Sequence, residues 1–328
     1  MFLSICIPSY NRPNELLRCL ESIPADGHNE IEVVVRDDCS PKQNEIIKAI
    51  NNLVRSDIKL KIAKKNSGFD INFYEITKIA SGDYIMYLTD DDYLSFEGFN
   101  KYIHFLKNKK PTVCVVPYIN AHSGKIERLH KKIILEGKSK LAPAHIFDFI
   151  LLSGLTIRRD AIPEYNPVLL DKSIYSQVYI FTIACKKYSP AYFNHPVIVK
   201  GEDGENGFSN LGVKLKADRS SYLSNLSFHD GLIKVIKILD HTLSEKGKFL
   251  RGFEKEYSLR SYTGLYIAAA NGRFAVINYL KMMRKLPIQT GVLPLIYALF
   301  IILFGRNLTN IILSLPRHLI FFFRRLSL

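Results

Sequence analysis

Short unbroken apolar runs alternate with amphipathic stretches through the first hundred residues of the chain. Residues 2–7 form a continuous apolar run that Pro8 stops, and Leu16, Leu17, Leu20 and Ile23 then recur at helical spacing. The β-branched run 31–35 ends in the polar stretch 36–41 and is followed by a helical pattern over about 44–54. A third run, 58–63, ends in Lys64-Lys65-Asn66-Ser67-Gly68, and a fourth, 84–88, ends in Asp90-Asp91-Asp92. Strand and helix alternate, and the polar residues always follow the strand. The pattern predicts an α/β fold built on an open, mostly parallel sheet flanked by helices, with ligands bound beyond the carboxyl ends of the strands. Beyond the strand-like run 195–200 this alternation fades. Helical spacing then fills 220–243, 249–270 and 274–284, followed by two apolar blocks at 292–304 and 308–323, the second interrupted by Pro316 and Arg317-His318. Two domains are predicted: an α/β domain over 1–214 and a helical region over 215–328.

The acid triplet carries the first chemical information. Three adjacent carboxylates repel one another, and a cation that takes oxygen ligands is the simplest reason to hold them at a strand end. Mg²⁺ or Mn²⁺ fits, because such ions share their coordination sphere with substrate phosphates. The competing reading is a solvated acidic turn, since Asp is common where strands end.

Four segments taken together separate these readings. Ile5-Cys6-Ile7-Pro8-Ser9-Tyr10-Asn11-Arg12, Val34-Val35-Arg36-Asp37-Asp38-Cys39-Ser40, Asn66-Ser67-Gly68 and the stretch from Gly82-Asp83-Tyr84-Ile85 to Thr89-Asp90-Asp91-Asp92 resemble, in order and spacing, the successive motifs of glycosyltransferase family 2. The resemblance covers roughly the first 100 residues. It implies the GT-A fold, a Rossmann-like mixed sheet, and transfer of a sugar from a nucleotide-diphosphate donor. Gly68-Phe69-Asp70-Ile71-Asn72 is similar to the abequosyltransferase-like transferases of bacterial O-antigen and capsule assembly.

By the same resemblance, Pro8, Tyr10, Asn11, Arg12, Asp37, Asp38, Lys65, Asn66, Asp90 and Asp91 are expected around the nucleotide. The Tyr10 ring would stack on a pyrimidine, and Asp38 would accept the uracil imide N–H, which points to a UDP-sugar. The plainer alternatives are a core aromatic for Tyr10 and a helix cap for Asp37 or Asp38. Asp90 and Asp92 would hold the metal, Asp92 as the principal ligand. A divalent cation stabilises a departing nucleoside diphosphate without proton movement.

An inverting transferase also needs a base at the acceptor hydroxyl, usually a carboxylate. The family's acidic pair aligns with Ser176-Gln177, and neither is a carboxylate. Glu202 and Asp203 lie in an acidic, Gly-rich loop after 195–200, where this fold brings its last loop towards the metal, and they are favoured over Asp171, the other candidate. The competing reading of Glu202-Asp203 is an ordinary turn. Inversion or retention stays open.

Composition narrows the setting. Five scattered cysteines show no metal-like pairing among 328 residues and read as reduced thiols of a cytoplasmic protein, while residues 1–10 read directly as a strand rather than a leader. His122, His145 and His195 show no ligand spacing. The chain has 45 basic and 31 acidic residues. No Asp or Glu follows Glu256, while Arg260, Arg273, Lys281, Arg284, Lys285, Arg306, Arg317, Arg324 and Arg325 do. These charges are interleaved with aliphatic and aromatic blocks instead of lining a polar stripe, which argues against nucleic acid. Each apolar block falls short of the roughly 20 residues of a spanning helix, so interfacial helices on an anionic membrane are expected, with a packed hairpin as the alternative.

The expected protein is a peripheral transferase at the cytoplasmic face of a bacterial inner membrane. It would use a nucleotide-sugar donor and a polyprenyl-diphosphate-linked glycan acceptor in O-antigen or capsule synthesis. A non-catalytic sugar-nucleotide or lipid-glycan binding subunit is the second class. A metal-dependent nucleotidyltransferase is the third, and it lacks the expected N-terminal Gly-rich phosphate loop.

Overall fold

The computed structural model describes residues 1–25, 30–121, 124–130, 132–137, 143–201 and 221–327, with side chains for all of these except 221–228 and 314–327. The chain divides into two compact units, Met1–Leu141 with His145–Gly207, and Ala142–Ala144 with Phe208–Leu328.

In the first unit the apolar runs become strands, as their length and β-branching require. β1 (Leu3–Ser9), α1 (Pro13–Ser22), β2 (Ile31–Asp37), α2 (Gln43–Asn52), β3 (Ile58–Ile62), α3 (Phe69–Ile79) and β4 (Tyr84–Tyr87) follow in order. Then come β5 (Tyr93–Leu94), α4 (Phe96–Lys109), β6 (Val113–Val115), β7 (Tyr118–Asn120), β8 (Ile126–Glu127), β9 (Thr156–Arg158), α5 (Ser176–Ala184), β10 (Ala191–Tyr192) and β11 (Ile198–Lys200). Seven strands form one sheet in the order β10-β6-β9-β4-β1-β2-β3, in which β9 runs antiparallel to both neighbours and the other pairs are parallel. The sheet is thus mixed and mostly parallel, as the pattern predicts. Of a second sheet, β5-β11-β7-β8, only β11 was legible, within the strand-like run 195–200, because the other strands are two or three residues long with no local pattern.

β1 is buried along its whole length, so both faces are covered and the run reads as continuously apolar. Leu3, Ile5 and Ile7 pack with Val33, Val35, Met86 and Leu88 against Leu16 and Leu20 of α1 and Ile46 of α2. On the other face Tyr87 meets Phe73 of α3, ring centroids 4.5 Å apart, and its hydroxyl pairs with Thr77 Oγ1 at 2.8 Å. Burying each such side chain contributes about 1.5–3 kcal/mol. The two helical layers clamp the sheet and leave the carboxyl ends of β1, β2 and β4 facing one way.

At the opposite end of these strands a buried carboxylate fastens the sheet. Glu32 accepts from Ser4 Oγ, from the Ser81 amide and hydroxyl, and from Lys59 Nζ. Burial pushes the Glu32 carboxyl up, but these donors outweigh it and hold it at about 2, against an ordinary 4.5. Because the folded value is depressed, the stability it gives is present above pH 4.5 and is lost as pH falls towards 2. With Lys59 half exposed, that contribution is on the order of 2 kcal/mol. Glu32→Gln is therefore expected to lower stability at pH 7 and to flatten its decline between those pH values, as read by urea denaturation. A variant with the parental acid profile would remove Glu32 from this role.

The second unit is helical, with α6 (Ser221–Thr242), α7 (Lys248–Ala268), α8 (Arg273–Met283) and α9 (Leu293–Ser327). Both apolar blocks fall within α9. Its backbone leaves helical geometry at Gly305 (φ 75°, ψ 162°), in the gap between the two blocks, and Pro316 lies within continuous helix. Leu239 of α6, Phe253 and Leu265 of α7, Val276 and Met283 of α8, and Tyr297 and Ile301 of α9 form its core.

Candidate functional site

Four loops meet at the carboxyl ends of β1 to β4. Ser9 and Asp37 are register partners at the ends of β1 and β2. The chain turns at Asn11 and at Cys39, both with φ 60°, and the Asn11 amide donates to Ser40 Oγ at 2.6 Å, joining the two turns. Asp37 is fully buried and accepts from the Ser40 amide (2.9 Å) and hydroxyl, so it shapes its own loop. Asp38 faces the third loop. It takes the Ser67 amide and hydroxyl and the Gly68 amide (2.8 Å), with Arg36 Nη1 at 3.6 Å. Neither residue is a helix N-cap, since Lys42 occupies that position of α2. Pro8 is buried beside Arg36, and Lys65 and Asn66 are exposed. Tyr10 is 40% exposed, which removes the core-aromatic reading and leaves its ring open to a ligand.

The acid triplet divides unequally. Asp90 accepts from Ser9 Oγ (2.8 Å) and the Tyr10 amide (3.4 Å). Arg12 Nη1 lies 3.0 Å from both Asp90 Oδ1 and Asp91 Oδ2, and Arg18 donates to the Asp91 carbonyl at 2.8 Å. Asp92 Oδ1 accepts the Gly201 amide at 3.0 Å, whereas its buried Oδ2 has no hydrogen-bond donor. Burial pushes Asp90 up to about 7 against the pull of Arg12, and burial with the nearby Asp91 pushes Asp92 up to about 6, the hydroxyls of Ser153 and Thr89 drawing it partly back. Arg12 is raised, because its attraction to Asp90 and Asp91 outweighs its own desolvation. Asp92 Oδ2 is thus a buried oxygen without a hydrogen bond of its own, and such an oxygen suits a hard cation.

Gly201 is required here by close approach. A Cβ on it would stand 2.0 Å from the Asp91 carbonyl oxygen and 2.9 Å from Arg18 Nη2. Its amide brings the start of the last loop onto the triplet, where the sequence places it. Glu202 and Asp203, the favoured bases, lie outside the described residues. Among the described residues no group of three or more His, Cys, Asp or Glu forms a metal cluster.

The third base candidate, Asp171, caps the 3₁₀ turn Pro167–Leu170, its amide bonded to the Val168 carbonyl. It opens a loop anchored by a residue that periodicity could not flag as polar and functional. Asp70, buried in the first turn of α3, accepts from Ser173 Oγ (3.1 Å), the Ile174 amide (2.8 Å), and the Ser176 amide (3.2 Å) and hydroxyl (2.7 Å). Burial raises its carboxyl. The loop needs that anchor, since Lys172 (φ 61°) and Ile174 (φ 60°) are left-handed, a strained state for a β-branched side chain. Ser176 is thereby spent on Asp70, and Gln177 donates to the Ile150 carbonyl at 2.9 Å. Two residues further along α3, Asn72 bonds Arg36 and approaches the Ser9 carbonyl. One helical turn therefore ties together the loops after β1, β2 and β3 and the entrance to α5.

A half-buried arginine completes the scaffold. Arg128 donates to the carbonyls of Asp148 (3.1 Å), Leu151 (3.4 Å) and Ser153 (2.7 Å), and its guanidinium lies 4.9 Å from the Tyr118 ring centroid. Ser153 Oγ in turn accepts the Thr89 amide at the root of the triplet. Sequence reasoning missed Ser9, Asp70, Asn72, Arg128 and Ser153. The motif containing Ser9 and the stretch containing Asp70 and Asn72 carried some signal, and Arg128 and Ser153 carried none.

Residues 4–165 match the family described as Glycosyl transferase family 2. Over 233 residues the chain is 24% identical to glycosyltransferase GlyA of Streptococcus pneumoniae, covering 68% of this chain and 29% of that protein's length. It is 24% identical over 307 residues to an uncharacterized glycosyltransferase of Rickettsia typhi, covering 88% of this chain and 93% of the other. The crystal structure of S. aureus TarS superposes with a TM-score of 0.51 at 17% identity, over 94% of this chain and 54% of that one. The fold is GT-A, and the similarity to family 2 glycosyltransferases covers residues 4–165, the part of the chain that carries the site.

Proposed function

We propose that this chain, built on a family 2 glycosyltransferase domain, moves a sugar from a nucleoside diphosphate donor, a UDP-sugar, to a lipid-linked oligosaccharide of bacterial surface polysaccharide assembly. The single observation that carries the reading is the chain of hydrogen bonds that ties the loops after β1, β2 and β3 to one another and the first of them to the acid triplet, with the Tyr10 ring open beside it.

Mg²⁺ or Mn²⁺ fits this centre through Asp92, whose Oδ2 lacks a donor, with Asp90 alongside. When bound, the ion supplies positive charge to the departing diphosphate. The chain's own residues do the rest. Tyr10 offers a stacking face for the base, Asp38 holds the Ser67-Gly68 edge of the nucleotide pocket in place, and Arg12 fixes Asp90 and Asp91. Asp203, Glu202 and Asp171 are the carboxylates offered for the acceptor hydroxyl. The abequosyltransferase-like kinship rests on residues 68–72, the turn that joins the nucleotide loops to α5. A lipid-linked acceptor and a cytoplasmic-membrane location are supported by the apolar stretch after Glu256, which carries no Asp or Glu.

A second reading has a specific observation in its favour. Ser176 and Gln177 replace the family's acidic pair and are both buried and hydrogen-bonded, which suits a subunit that binds a sugar nucleotide without turning it over. A panel of nucleotide sugars, assayed for nucleoside diphosphate release with and without a polyprenyl-diphosphate glycan, separates the two. Release that depends on the acceptor is expected with at least one UDP-sugar. Tight donor binding with no release across the panel would establish the binding subunit instead.

A further inference from the structure

The second unit carries an apolar surface that its own packing does not use. α9 buries Tyr297, Ala298 and Ile301 on the helical bundle, with the Tyr297 ring edge-on to Tyr262 of α7 at 5.4 Å. Its opposite face is equally apolar. From 292 to 304 every exposed residue is aliphatic or aromatic: Val292, Leu295, Ile296, Leu299, Leu303 and Phe304. A helix apolar all round is either buried or in lipid, and this one is open on one side. The neighbouring α8 exposes Phe274 (83%) and Ile277. Arg273 and Lys281 are exposed on the same helix, and Arg284 and Lys285 are exposed just past its end.

Residues 293–313 are long and apolar enough to cross a membrane by length and composition. The break at Gly305 prevents a straight crossing. The helical segment before it, 293–304, is about 18 Å long against a hydrocarbon core of about 30 Å. The segment after it carries Arg306, Arg317, Arg324 and Arg325, which resist burial in hydrocarbon. Charge also decides what covers the face. A second copy of this chain would set the same cations against each other, with no acidic residue after Glu256 to answer them.

We infer that the exposed face of α8 and the first segment of α9 is a monotopic docking surface for an anionic phospholipid bilayer, with the apolar side chains in the headgroup boundary and the flanking Lys and Arg on lipid phosphates. It deepens the lipid-linked acceptor of the proposed function and rests on that reading only for its purpose, since its test reads membrane binding alone.

Full-length protein is sedimented with vesicles of phosphatidylglycerol and phosphatidylcholine, and with phosphatidylcholine alone. Binding to the anionic vesicles is expected, weakened but not abolished by high salt. Phe274→Asn combined with Leu303→Asn, both at exposed positions, is expected to cut binding roughly tenfold or more with an unchanged melting temperature. Arg284→Gln with Lys285→Gln is expected to weaken binding and reduce its salt dependence. Equal, salt-independent association with both vesicle types, released only by detergent, would overturn the interfacial surface in favour of a span. A dimer in light scattering that the apolar pair of substitutions dissociates, with no vesicle binding, would make the face a contact between copies. Vesicle binding without sugar transfer sustains the surface and removes the transferase reading, while transfer without vesicle binding does the reverse.

Discussion

Asp92→Asn is expected to lower turnover by a factor on the order of 10²–10³, the usual cost of removing one element of preorganised charge stabilisation. The same change should leave the melting temperature unchanged or slightly raised. Asp92 Oδ2 is buried without a donor, and burial pushes the carboxyl up to about 6, so ionising it costs the apo protein stability that an amide would not. The Gly201 amide can still donate to the remaining oxygen of Asn. Nucleoside diphosphate release and a thermal melt, run in parallel, read both effects. A second readout is Mn²⁺ binding in the presence of UDP, which the variant should lose. Full activity of the parent in excess chelator, or of the variant in Mn²⁺, would sink the cation reading.

Asp70→Ala is expected to be the most destabilising single change near the site, by about 3–5 kcal/mol. Its carboxylate is the acceptor for Ser173, Ile174 and Ser176, and without it those donors are stranded while two left-handed residues lose their restraint. A fall in melting temperature of roughly 10 °C follows for a unit of this size. Asp70→Asn keeps one carbonyl acceptor and should fall between the two. Because the loop contains Asp171 and leads into α5, the asparagine variant should also lose turnover, with donor affinity little changed. Alanine at this position with the parental melt would show that the loop holds itself.

The difference between what the chain discloses and what it conceals lies in the range of the interactions. β1 to β4 were legible because each is a run of apolar residues closed by polar ones, and the acid triplet, Tyr10 and Asp37-Asp38 sit at those closures. The pairing of Arg12 with Asp90 joins residues 78 positions apart, and that of Asp70 with Ser176 joins residues 106 apart. Neither leaves a local pattern. Asp70 and Asn72 occupy the buried side of a helix whose periodicity says only that something packs there. Asp38 was assigned to a nucleobase, yet its oxygens already hold the Ser67-Gly68 amides, a use that spacing could not reveal. The two apolar blocks were legible as separate runs, and the backbone departs from helical geometry at Gly305 in the gap between them.

That glycine has a consequence for how the protein is made. Its φ of 75° is one that other residues rarely adopt, yet a Cβ there would meet no atom within 4 Å, so only the dihedral stands against substitution. An alanine favouring helical φ would join both flanks into one rod over 293–313, about 32 Å long, which matches the hydrocarbon thickness. Insertion machinery judges segments by continuous hydrophobic length, and such a rod would qualify as a stop-transfer element. Everything following it would then be exported, and the arginines at 317, 324 and 325 would end on the wrong side. On the proposed membrane-docked reading, this single small residue would keep the two flanks of the break on one side of the bilayer.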